Sequence, residues 1–166
     1  MPVPSLQHRF STLEHLRREA LRRKVRLELE ETRAALAQVE DAWEWIVAMI
    51  SRSVSLEADT RRHGWGLWVE YLHAAAHDPA IAEDSLEVDE LWLSALEEVI
   101  ARGVSAGRLQ PHLSCRESAM VVQGLIDGLG MPLSAGRSGE EAEAVLRLLT
   151  EGAAVLLRPL AKGTST

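Results

Sequence analysis

The sequence predicts an all-α protein, folded as a single bundle of about six helices. Apolar residues recur at three- and four-residue intervals along most of the chain, alternating strand patterns are absent, and β-branched residues never cluster for long. A length of 166 residues with 46% hydrophobic content is enough for one domain with a substantial core.

The elements follow in order. Ser11 or Thr12 can cap a first helix that passes through Leu13, Leu16, Leu21, Val25 and Leu29 to about Ala37. Its apolar stripe is thin and its flanks are rich in Arg and Glu, so it spans distance more than it fills a core. A second helix, about Glu40–Leu56, repeats Val39, Trp43, Ile46, Val47, Ile50 and Val54 at helical spacing. A third, about Thr60–His77, carries Trp65, Trp68, Val69 and Leu72 on one stripe and stops at Asp78-Pro79, because the residue before proline disfavours helix. The fourth covers about residues 80–106 with Ile81, Val88, Trp92, Leu96, Val99 and Ile100 inward, and Gly103 and Gly107 end it. Ser114 caps a fifth, about Ser114–Met131, apolar almost all the way round and closed by Gly130 and Pro132. A Ser/Gly/Arg loop then leads to a sixth, about Glu140–Leu157, whose buried face is Ala142, Val145, Leu146, Leu149, Ala153 and Leu156. Residues 158–166 read as a disordered tail.

Charge and composition narrow the function. The net charge of −7 argues against a surface that is one nucleic-acid footprint, yet residues 1–33 hold eight Arg or Lys against five Asp or Glu. A mildly basic end on an acidic body fits a DNA-proximal segment joined to a regulatory body. The one cysteine, Cys115, excludes an internal disulfide. No apolar run has the length of a membrane span and no apolar signal region stands at the N-terminus, so a cytoplasmic protein without a membrane partner is expected.

The aromatic residues are the first functional candidates. Trp43, Trp45, Trp65, Trp68 and Trp92 sit on three successive helices, beside a single Tyr and a single Phe. Each is explained either by core packing or by a partly wet cavity, where an indole buries its rings and keeps a partner for its N–H. Five together, with Met49, Tyr71 and Met120 nearby and Gln123 as a polar group, point to a lined pocket for a small, partly apolar effector. Gln123 and Asp127 lie one turn apart on the apolar fifth helix; for Asp127 a hydrogen bond to a neighbouring helix is the favoured reading.

Gly124 and Gly128 leave a smooth strip on the fifth helix, at about 1 kcal/mol each relative to alanine, which close helix–helix packing would offset. With the apolar last helix this predicts a homodimer built on two helices from each chain, through Val121, Gly124, Leu125, Gly128, Val145, Leu149 and Leu156; an intrachain contact is the alternative. Glu70, His73 and His77 fall on one side of the third helix with loose metal-ligand spacing, but no further ligand accompanies them and a solvated face explains them, so no metal or cofactor is expected. No Ser-His-Asp order, phosphate loop or buried carboxylate pair supports catalysis, and no enzyme is expected.

Several segments resemble the TetR family of transcriptional regulators from about residue 11 to 157: Leu67-Trp68-Val69-Glu70-Tyr71-Leu72 through His77-Asp78-Pro79, Gly107-Arg108-Leu109-Gln110-Pro111, and Gly124-Leu125-Ile126-Asp127-Gly128-Leu129. Val3 to Leu16 resembles the end of that family's helix-turn-helix, with Ser5, Gln7, His8 and Arg9 in a recognition helix and Phe10 anchoring a turn into the connecting helix. The resemblance implies a repressor in which residues 1–11 are a remnant of the DNA-reading motif and residues 12–157 bind effector and dimerise. It departs from the family at Leu13, where a lysine is usual, and on this reading the sequence opens inside the motif, so the helices that normally precede the recognition helix are expected to be missing. Operator DNA is therefore expected as a partner only where an intact helix-turn-helix is present, and the rival reading is a stand-alone ligand-binding or dimerisation module with no DNA role.

Overall fold

The computed structural model describes the backbone of residues 4–54 and 57–160; side chains of residues 4–15, 17, 18 and 21 lie outside the described set. Among the described residues every element is helical: α1 Pro4–Leu36, α2 Ala42–Ser53, α3 Ala58–Ala75, α4 Pro79–Ser105, α5 Cys115–Gly130, a 3₁₀ turn over Met131–Ala135, and α6 Gly139–Leu157. The core lies among α2, α4, α5 and α6, and it holds Ile46, Ile50, Leu96, Ile100, Val122, Leu149 and Leu157. A smaller cluster of Val25, Tyr71, Ile81 and Val88 lies between α1, α3 and the first turns of α4, and Trp68 and Trp92 pack against both clusters.

The helix starts are locally encoded. Asp41 accepts from the backbone N–H groups of Trp43 and Glu44 at 3.0 and 3.1 Å to cap α2, and Asp78 caps α4 ahead of Pro79. Ser114 and Ser138 each form a full capping box with the glutamate three residues on, Glu117 and Glu141. These hydrogen bonds to the ionised form hold both carboxyls below the usual glutamate range.

Several expected boundaries shift for identifiable reasons. The backbone shows no turn at Phe10, because no glycine or proline lies between Pro4 and Leu36 to break the helix. Ser5, Gln7, His8 and Arg9 lie on this stretch of α1, and their side chains are outside the described set. Gly103 does not end α4: a Cβ there would meet Leu109 at 2.5 Å and Ala42 at 2.8 Å, so it is a close-packing glycine inside the helix. Gly107, at φ 66°, takes the left-handed turn. On α3 the inward residue is Tyr71, fully buried, whereas Val69 and Leu72 are exposed.

Residues 158–160 of the expected tail are held against the body. Leu160 N–H donates to the Arg108 carbonyl, Gln110 N–H donates to the Leu157 carbonyl, and the Arg108 guanidinium reaches both the Leu160 carbonyl and Asp41. Residues 158–160 are thus tied to the α4–α5 connection. Ala161–Thr166 lie outside the described residues.

Candidate functional site

α4 and α5 make the broadest helix pair of the body, and they bring together three polar side chains that the sequence places 34 and 38 positions apart. The Gln123 amide donates to Asp89 Oδ1 across the pair. Its carbonyl oxygen Oε1 is buried without a hydrogen-bond partner. Asp127 follows one turn later on the same face of α5, half-buried, and no described residue hydrogen-bonds its carboxyl. Loss of water first, and the negative charge of Asp89 second, push the Asp127 carboxyl up to about 6. Asp89 and Asp127 are thus close enough for their charges to act on each other, and no described residue partners the Gln123 carbonyl oxygen beside them. The interhelical hydrogen bond expected for Asp127 is made by Gln123 instead.

Tryptophans flank this cluster. Trp92 stands one turn beyond Asp89 on α4, half-buried. Trp65 lies against Gly130, one turn beyond Asp127, so closely that a Cβ on Gly130 would fall 2.0 Å from its ring. Gly130 ends α5 as expected, with an ordinary helical φ of −78°, and its missing side chain leaves room for the indole. The Trp65 N–H is spent on the Ser53 carbonyl at 2.7 Å. Trp68 sits 5.7 Å from Tyr71, centroid to centroid.

Of the pocket residues expected from the sequence, Trp65, Trp68 and Trp92 pack in or against the main core, Tyr71 lies in the smaller cluster towards α1, and Gln123 meets Asp89 between α4 and α5. Trp43 and Met49 pack on α2 in the main core. Met120 does not join them. It is 56% exposed and shares an outward strip with Val121, Gly124 and Gly128, because positions 120, 124 and 128 lie one above another on a helix. A separate open groove of about 1030 Å³ between α1, α2 and α4 is lined by Arg33, Leu36, Trp45, Val99 and Arg102, among others, and by none of the predicted pocket residues.

The residues expected at a dimer interface divide likewise. Val121, Gly124 and Gly128 are exposed, and a Cβ on either glycine would meet nothing within 4 Å among the described residues. The intrachain contact left open for these glycines is not made by any described residue. Leu125, Val145 and Leu156 are half-buried. Leu149 faces inward, 1% exposed in the core of its own chain, so its apolar surface is already used. Leu148 and Val155, not singled out from the sequence, carry the outward apolar stripe of α6 at 48% and 77% exposure. Their seven-residue spacing was the legible signal.

No described His, Cys, Asp or Glu residues group in a way that could hold a metal ion, and no described helix is long and apolar enough to cross a membrane. His73 and His77 are exposed, their rings 4.7 Å apart.

The six-helix arrangement is that of the regulatory body of TetR-type transcription factors. It superposes on a transcriptional regulator from Saccharomonospora viridis solved in complex with choline, with TM-score 0.76 and 21% identity over 92% of this chain and 79% of that one. It also superposes on a TetR transcription regulator from Haloarcula marismortui, with TM-score 0.68 and 19% identity over 84% and 78%. The model of the BetI-type transcriptional repressor C-terminal domain matches residues 42–158, and the chain belongs to that family, one of regulators and not of enzymes. No curated protein matches the sequence.

Proposed function

We propose that this chain is the effector-binding and dimerising body of a transcriptional repressor, and that its effector is a small organic cation held between α3, α4 and α5. One observation carries the reading: Asp127, half-buried beside Asp89, has no described cation or hydrogen-bond donor to offset its charge. A bound cation would lower the electrostatic cost of both carboxylates, and a methylated ammonium would also use the faces of neighbouring indoles. The choline seen in the structurally similar Saccharomonospora viridis regulator agrees with this chemistry. Binding to one arrangement of the bundle in preference to another is what would let the effector change the DNA-reading ends.

The proposed dimer uses the outward strip Met120, Val121, Gly124 and Gly128 with Leu148 and Val155, supported by its apolar character and by the open space over both glycines. The DNA-reading role of Ser5, Gln7, His8 and Arg9 rests on the resemblance of Val3–Leu16 to the end of a helix-turn-helix.

Calorimetric titration with choline and with tetramethylammonium tests the effector. Binding is expected to tighten between pH 5 and 7.5 as Asp127 ionises, and Asp127→Asn is expected to weaken it about tenfold or more. Absence of heat and of tryptophan fluorescence change at millimolar choline and tetramethylammonium overturns the cation reading. Sedimentation of Val155→Glu tests the dimer: the parent is expected to sediment as a dimer at micromolar concentration and the variant as a monomer. A monomeric parent removes that part.

A further inference from the structure

Asp84, on the second turn of α4, is 1% exposed and is the acceptor for three donors from two other helices. Tyr71 of α3, itself fully buried, donates its hydroxyl to Oδ2. Oδ1 accepts from Arg26 of α1 at 2.8 Å and lies 3.0 Å from Arg22, one turn earlier on the same helix. Burial by itself would raise the Asp84 carboxyl, and these three partners together hold it below the usual range. Both guanidiniums are raised by the same contacts. The buried charge is therefore compensated by its partners and not left bare.

α1 meets the rest of the body in two chemically different ways. Towards its C-terminal end Leu29 and Leu36 are buried, and Leu36 belongs to the main core. Nearer the N-terminus, over residues 22–26, Val25 is the one buried apolar contact among the described side chains, and Arg22 and Arg26 supply the remainder through Asp84, with Glu87 a second acceptor for Arg26 at 2.8 Å. An apolar end and a charged end make a pivot and a catch. Ion pairs can be re-formed in a new geometry without opening a packed core, which suits the catch to a helix that changes position. Tyr71 joins this catch to the effector side, because its ring lies 5.7 Å from Trp68.

We propose that Asp84 with Tyr71, Arg22 and Arg26 is the joint that fixes the position of α1 on the body, with Tyr71 as its positioning residue. The use of that joint to carry an effector signal rests on the regulator reading above, whereas the joint itself is testable without any effector. Amide hydrogen exchange of the full chain reads it directly, since local opening of one element is resolved from opening of the others.

In Tyr71→Phe the ring stays and only the hydroxyl goes. Exchange of the α1 amides from residue 19 to 33 is expected to accelerate about tenfold or more, with α5 and α6 unchanged. Arg26→Gln is expected to do the same from the partly exposed side, where misfolding is not a concern, and Arg26→Lys to restore part of the protection. Val88→Ala, which thins the same cluster without touching a charge, is expected to speed α3 and α4 together with α1. Exchange in α1 unchanged by both Tyr71→Phe and Arg26→Gln overturns the proposal, as does acceleration spread equally over α5 and α6 in both. Choline titration of the same proteins bears on the effector reading alone, so the two can fail separately.

Discussion

Replacing Asp127 by Asn isolates the electrostatic cost of the candidate site. In the folded chain the carboxyl is pushed up to about 6 from its ordinary 3.8, so the native state holds this proton more tightly than the unfolded state does. Stability from this group is therefore present below about pH 4 and is lost as pH rises towards and through 6. The full separation corresponds to about 3 kcal/mol, and partial solvent access at a half-buried position reduces it to about 1–2 kcal/mol. Asp84, Glu90, Glu117 and Glu141 act with the opposite sign, since their carboxyls are held low and their contribution is lost on acidification. The parent curve mixes both kinds, but the difference between parent and Asp127→Asn does not. Urea unfolding followed by tryptophan emission, at fixed protein concentration between pH 3.5 and 8, is the assay. The variant is expected to be the more stable by about 1–2 kcal/mol at pH 7.5 and to converge on the parent below pH 4. A difference that is constant with pH, or a variant less stable at pH 7.5, refutes the claim that an uncompensated charge sits there.

Three further outcomes are expected. Gly130→Ala places a methyl 2.0 Å from the Trp65 ring, and the overpacking is expected to cost about 3 kcal/mol in urea unfolding, with a shift in tryptophan emission; a variant as stable as the parent means the ring moves aside freely. Gly124→Ala meets no described residue within 4 Å, so the body is expected to gain up to about 1 kcal/mol of helix stability while self-association weakens; unchanged sedimentation with higher stability sinks the proposed interface. Ser114→Ala and Ser138→Ala each remove a capping box and are expected to cost about 1 kcal/mol apiece in thermal or urea unfolding, adding in the double variant because the caps share no partner.

Much of this body was legible in the sequence because its information is local. Ser114 and Ser138 announce their helices through the glutamate three residues on, Asp78-Pro79 both ends one helix and opens the next, and period-3.6 spacing marks Ile46, Ile50, Leu96 and Ile100 as core. Errors arose where a residue type has two uses. Gly103 looked like a helix stop, yet it is small because a leucine from the α4–α5 connection occupies its side-chain space; Gly130 does end α5, and an indole occupies its side-chain space. Met120 looked like pocket lining and Leu149 like interface, because a helix apolar on most sides does not say which side meets which neighbour. Asp84 carried no sequence signal, since its partners lie on α1 and α3 and only the fold brings them to one carboxylate.

Helix content, helix order and helix caps follow from contacts within about four residues, so the amino-acid sequence alone determined them. Which face of each helix is used up inside the chain, which apolar strip stays open on α5 and α6, and which carboxylates meet an arginine or are left facing each other depend on helix crossings between distant segments. Those crossings place Asp84 beside two guanidiniums and Asp127 beside Asp89. The same residue type is thereby held below its ordinary pKa at one site and pushed above it at the other, because the sign of the shift is set by neighbours that only tertiary packing supplies.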